Sequence, residues 1–141
     1  MFRIALILGS LVFALPLFAE TNATVARINS VYDADTFRVD INDWPDIVGK
    51  NIPVRVNGVD AAEIRGKCLS EKERAKAARD YTRKFLQSGH TVELRNIQRG
   101  KYFRLLADVY VDGASLSEAL IASGHARSYD GGTRQGWCAL N

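Results

Sequence analysis

Apolar and polar residues alternate along several short runs of the chain. In residues 24–31, Val25, Ile28 and Val31 stand among polar neighbours. In residues 36–41 the apolar positions are Phe37, Val39 and Ile41. A period of two puts such side chains on one face of a strand, so both runs predict strands. Asp33, Ala34 and Asp35 between them read as a turn, because an Asp carboxylate bonds its own nearby backbone. The two strands and this turn form a hairpin. Residues 42–51 carry Asn, Asp, Pro and Gly and predict a loop. Residues 52–59 alternate again, with Val54 and Val56 on one face and Arg55 and Asn57 on the other. Two later strands are predicted over residues 91–97 and 105–111, separated by a turn at Arg99, Gly100 and Lys101.

Helical spacing appears twice. Ser70 and Glu73 have the form of a capping box, and good helix formers follow to about Gln87. Ala78, Tyr81 and Phe85, flanked by Ala77, make the buried stripe, and Gly89 is a suitable stop. Ser115 and Glu118 form a second box, opening a short helix that ends at Gly124. A tail with Gly131, Gly132 and Gly136 leads to Trp137 and Cys138. The order is three strands, helix, two strands, short helix. That order predicts a β-rich α+β fold: a five-stranded OB-fold barrel, with a helix between strands 3 and 4 and a short helix after strand 5.

The first nineteen residues differ from the rest. They hold a single charge, Arg3, and an apolar run interrupted by Pro16. A short positive start, a greasy stretch and Ala19 at its end read as a secretory signal over residues 1–19. The alternative is an uncleaved anchor, but the run is shorter than the ~20 residues that span a bilayer comfortably. Residues 20–141 are then the folded domain. The chain is 47% apolar and 25% charged, which excludes a disordered or multi-span membrane protein. The net charge of +3 permits a polyanionic partner without requiring one. Export makes a Cys68–Cys138 disulfide the expected state, with two unpaired thiols as the alternative. Such a link stabilises a fold by about 4 kcal/mol on the chain-entropy model.

Carboxylates and arginines gather at strand ends in three clusters. The first contains Asp33 and Asp35. The second contains Arg55, Asp60, Ala61 and Glu63, and the third Lys101, Tyr102 and Arg104. Each alone is ordinary: turn aspartates and strand-end arginines are commonly structural.

Together they resemble the staphylococcal-nuclease-like, or thermonuclease, family. The matching segments are residues 31–37 (VYDADTF), 54–63 (VRVNGVDAAE), 101–113 (KYFRLLADVYVDG) and 118–124 (EALIASG). The tail, residues 129–138 (YDGGTRQGWC), resembles the ending of small exported bacterial members. The resemblance implies Ca²⁺-dependent hydrolysis of DNA and RNA, leaving 3′-phosphate products. Asp35 and Asp60 fall at the metal's carboxylate ligands, and Ala61 where a backbone carbonyl completes the set. Glu63 falls at the general base, and Arg55 and Arg104 at the two phosphate-binding arginines. Tyr102 matches a tyrosine near the nucleotide. Lys101 either touches phosphate or solvates a turn, and Tyr129 either stacks on a base or packs against the tail.

Physical chemistry fits these roles. Hydroxide attack on an anionic phosphodiester is electrostatically opposed, and a cation relieves that repulsion. Carboxylates and a carbonyl suit a hard, oxygen-liking ion. A nearby carboxylate can take a proton from water, and guanidinium forks can grip phosphoryl oxygens. Three departures stand out. Ala61 and Ala62 replace the family's Thr-Pro, and Phe103 replaces a Gly. The longer C-terminal helix of the family is not expected here, and the disulfide is expected to pin the tail in its place. Trp137 is expected over that disulfide, Trp44 in a loop or the core. His90 and His125 are expected to be surface or structural residues. A periplasmic or secreted monomer is the expectation, with no stable protein partner and no membrane association after cleavage. A non-catalytic OB-fold module that binds nucleic acid or protein is the alternative, since fold does not fix function.

Overall fold

The computed structural model describes residues 21–138. The expected leader lies outside them. The predicted hairpin forms from β2 (Arg27–Asp33) and β3 (Thr36–Asp40), preceded by a two-residue strand, β1 (Ala23–Thr24). β4 (Ile52–Val56) pairs antiparallel with β3, placing Thr36 opposite Arg55. β6 (Val92–Arg99) and β7 (Leu105–Val111) form the second antiparallel pair. β7 then runs parallel to β4, with Arg55 opposite Leu106. The resulting mixed sheet has the order β1-β6-β7-β4-β3-β2, and β8 (Ala114–Ser115) adds to β7.

This sheet curls. Val25 and Ala26 separate β1 from β2, and their amides donate in different directions, to Val92 O at 2.9 Å and Asp40 O at 2.8 Å. One stretch of chain therefore bonds to both β6 and β3, which stand near opposite ends of the strand order. Among the described residues the architecture is a curled open sheet with three helices, consistent with an OB-like barrel. The inward faces of β3 and β4 supply Phe37, Val39 and Val54, all fully buried.

Several boundaries differ from the sequence expectation. Residues 52–59 are not one strand. Gly58 adopts φ +79°, a left-handed conformation that only glycine takes freely, and the chain turns there. Beyond the turn, β5 (Val59–Ala61) leaves the main sheet and pairs with β9 (Ala126–Ser128). β9 has no alternation of its own to betray it. The expected loop contains one helical turn, α1 (Asp46–Gly49).

The long helix α2 spans Leu69–Gln87 and starts without the predicted box. Cys68 is its N-cap residue, and Ser70 lies inside the first turn. Glu71 reaches back instead, accepting from the Lys67 amide at 2.8 Å. Cys68 is also bonded to Cys138 of the tail. The buried stripe is Ala75, Ala78, Thr82 and Leu86, with Tyr81 and Phe85 on its flank and Ala77 exposed. Gly89 does not act as a left-handed stop. A side chain there would collide with Asp112, whose carboxylate caps the His90 and Thr91 amides. The second box does form: Ser115 caps α3 (Leu116–Ala122) by accepting from the Glu118 amide at 3.3 Å.

His90 is exposed at the surface, and His125 packs its ring 5.0 Å from that of Tyr81. Trp44 lies partly buried against the core. None of the helices among the described residues is long and apolar enough to cross a membrane.

Candidate active site

The pairing of β4 with both β3 and β7 brings three strand ends to one place. The β2–β3 turn supplies Asp33 and Asp35, β4 supplies Arg55, and Arg104 sits one residue before β7. A cleft of about 670 Å³ opens there, lined by Asp35, Arg55, Glu63, Lys101, Arg104 and Tyr129 among others. Five residues from the three separate clusters, together with Tyr129 of the tail, thus share one cavity. Helix α2 fixes the turn from below: fully buried Thr82 donates its hydroxyl to Ala34 O at 2.8 Å.

Asp35 is 2% exposed and would be costly to bury alone. It is compensated on several sides. Arg55 Nη1 pairs with its Oδ1 at 2.8 Å, and Thr36 donates to the same oxygen at 3.2 Å. The Ala61 amide donates to Oδ2 at 3.3 Å. Arg55 is itself held by Val59 O at 3.2 Å, so it is oriented before any substrate arrives. Arg104, by contrast, has no hydrogen bond or ion pair to its guanidinium among the described residues.

Asp33 completes the acidic end of the cleft. Its Oδ1 is buried without a hydrogen-bond partner. Burial, helped by the neighbouring charge of Asp35, pushes its pKa up to about 7. A buried carboxylate oxygen that lacks a partner, next to a second carboxylate, is a donor set suited to a hard cation. Cys68, Glu71 and Cys138 also lie close together, but both sulfurs are joined in a disulfide and offer no thiolate.

Asp60 is placed differently. It is 3% exposed, and its carboxylate faces the tail. Trp137 donates its indole N–H to Oδ2 at 3.0 Å, and Arg134 Nε donates to Oδ1 at 2.6 Å. Arg134 Nη1 also donates to Glu63 Oε1 at 2.7 Å. Burial works against the Arg134 charge, yet its bonds to Asp60 and Glu63 raise its pKa above the ordinary value. Trp137 therefore packs with Ala62, Ala75 and Ile64 and serves Asp60. The disulfide itself forms, with Cα atoms 5.9 Å apart, and ties the tail to the start of α2.

Tyr102 is 93% exposed and does not line the cleft, and Phe103 beside it is 53% exposed. Both have positive φ, +56° and +60°, so Phe103 adopts a backbone shape that suits glycine. Arg99 covers one side of the Phe103 ring, 4.6 Å from its centroid. Tyr129 bonds Gly132 O at 2.8 Å and so is both a cleft residue and a tail contact.

Sequence reasoning missed Arg134 as a site residue. Its only local signal is a place three residues before Trp137 and four before Cys138. Asp33 carries in the sequence only the mark of a turn residue.

A family model for staphylococcal nuclease homologues matches residues 53–136, well over half of the chain. The matched stretch contains Arg55, Asp60, Glu63, Arg104 and Arg134, while Asp35 precedes it. A search of curated proteins finds no match.

Proposed function

The chain belongs to the staphylococcal nuclease homologue family, and from that premise we propose that it is an exported, Ca²⁺-dependent nuclease cutting DNA and RNA to 3′-phosphate products. The membership supports nuclease-type activity on nucleic acid. One observation carries the finer reading: Arg55, Glu63 and Arg104 line the same cleft as Asp35.

In this reading the five long strands β2, β3, β4, β6 and β7 are the OB barrel that presents the cleft. Asp33 and Asp35 hold the ion, joined by Asp60 and the Ala61 carbonyl as the family resemblance implies. Bound Ca²⁺ supplies positive charge against the phosphodiester. Arg55, already oriented, and Arg104, unpaired among the described residues, bind the phosphoryl oxygens and stabilise the charge that develops in the transition state. Glu63, half exposed at the cleft, takes the proton of the attacking water. Lys101 attracts the polyanion, while Tyr129 and Tyr102 offer rings to bases. The leader pattern and the disulfide support a periplasmic or secreted location.

The test is incubation of the purified protein with single-stranded DNA and with RNA, in Ca²⁺ or EDTA, beside Arg55→Ala and Glu63→Gln. The reading requires cleavage that depends on Ca²⁺ and falls by about 10²-fold or more in each variant. The non-catalytic binding module rests on one observation, that both Asp60 oxygens are already hydrogen-bonded. It is favoured if the folded wild type binds single strands but cuts nothing with any divalent ion.

A further inference from the structure

The tail returns to the cleft on a set of fixed points. Cys138 is bonded to Cys68, and Trp137 is buried on Asp60. Arg127 of β9 lies 3.8 Å over the Trp137 ring and donates to Gly136 O at 2.8 Å. From this anchored segment Arg134 reaches back and bridges Asp60 and Glu63. Its Nη2 also contacts Asp60 Oδ1.

We propose that Arg134 is a positioning residue of the site, an internal counter-cation that holds Asp60 and Glu63 and thereby sets how strongly the site takes a divalent ion. This role rests on the metal-dependent function proposed for the cleft.

The argument is one of lone pairs and charge. A carboxylate oxygen offers two lone pairs. Asp60 Oδ1 takes two contacts from Arg134, and Oδ2 takes one from Trp137. A cation therefore gains Oδ1 only by displacing the guanidinium. The Arg134 side chain is 40% exposed, so it has a path outward. Even displaced, it stays within a few residues of the disulfide and of Trp137. That tether keeps its effective concentration high, and its charge opposes the ion at short range. Removing the ion lets the guanidinium return, so buried Asp60 is never left unpaired.

Calorimetric titration of Ca²⁺ into the wild type, Arg134→Gln and Arg134→Lys tests this, with the Ca²⁺-induced rise in Tm as a second readout. Arg134→Gln is expected to bind Ca²⁺ about tenfold tighter than wild type, because a nearby like charge is gone. Its Tm is expected to be lower without Ca²⁺ and to rise more with it. Arg134→Lys keeps the charge but cannot bridge both carboxylates, and is expected to bind about threefold tighter. Should Arg134→Gln fail to fold, the Lys variant still decides. Affinity in the folded variants equal to or weaker than wild type overturns the counter-cation role and leaves the metal reading intact. Absence of Ca²⁺ binding in every protein, wild type included, overturns both.

Discussion

Thr82 and Ala34 stand 48 positions apart in the chain, yet the Thr82 hydroxyl donates to the Ala34 carbonyl at 2.8 Å inside the core. Through that bond helix α2 holds the turn that carries Asp33 and Asp35. Thr82→Val keeps the shape and removes the donor, leaving a buried carbonyl unsatisfied. The expected loss is about 1–3 kcal/mol of stability, read from urea unfolding midpoints. An unchanged midpoint would show that the hydroxyl contributes nothing.

Arg55 has two separable duties. It compensates buried Asp35, and in the proposed mechanism it grips phosphate. Arg55→Ala leaves Asp35 without its ion pair and is expected to cost about 3–5 kcal/mol. Arg55→Lys retains a charge but not the fork. It is expected to recover part of that stability while nuclease turnover stays down by about 10²-fold. Stability and turnover recovering together in the Lys variant would argue against a phosphate-binding fork.

Phe103 occupies a left-handed backbone position, with a ring more than half exposed. Left-handed geometry costs an ordinary residue about 1–2 kcal/mol, which Phe103→Gly would relieve. The lost ring contact with Arg99 offsets some of that gain. The expected result is a Tm equal to or above wild type. If the ring stacks on bases, single-stranded DNA binding weakens by about 1–3 kcal/mol at the same time. Unaltered binding in a fluorescence titration would remove Phe103 from the substrate path.

Asp112 gives a pH dependence with a definite sign. Its carboxylate accepts the His90 and Thr91 backbone amides, and these hold its folded pKa below the ordinary 3.8. A depressed folded pKa contributes stability that is present above the ordinary value and lost as pH falls through the folded one. Asp112→Ala is therefore expected to be less stable than wild type at neutral pH. The gap should narrow once the pH drops below the ordinary aspartate value. A gap independent of pH across an acid titration of Tm would assign the loss to packing against Gly89 rather than to charge.

The hairpin, most of the longer strands, the long helix and six of the residues that line the cleft are legible in the order of amino acids. Alternation, turn chemistry and helical spacing are local, so Phe37 and Val39, or Ala78 and Tyr81, declare their shared face without a partner in view. Local propensity misleads at Ser70, which lies inside a helix that starts after Cys68, and at Ala77, which the packing of α2 leaves exposed. Other features depend on segments far apart in the chain. Folding breaks residues 52–59 at Gly58, makes β9 from a segment with no pattern, and buries one oxygen of Asp33 without a partner. It also brings Arg134 to Asp60 and Glu63 across 74 and 71 positions of chain. A contact at that separation leaves no periodic mark on either segment. It exists because the chain returns to the cleft and a disulfide holds it there.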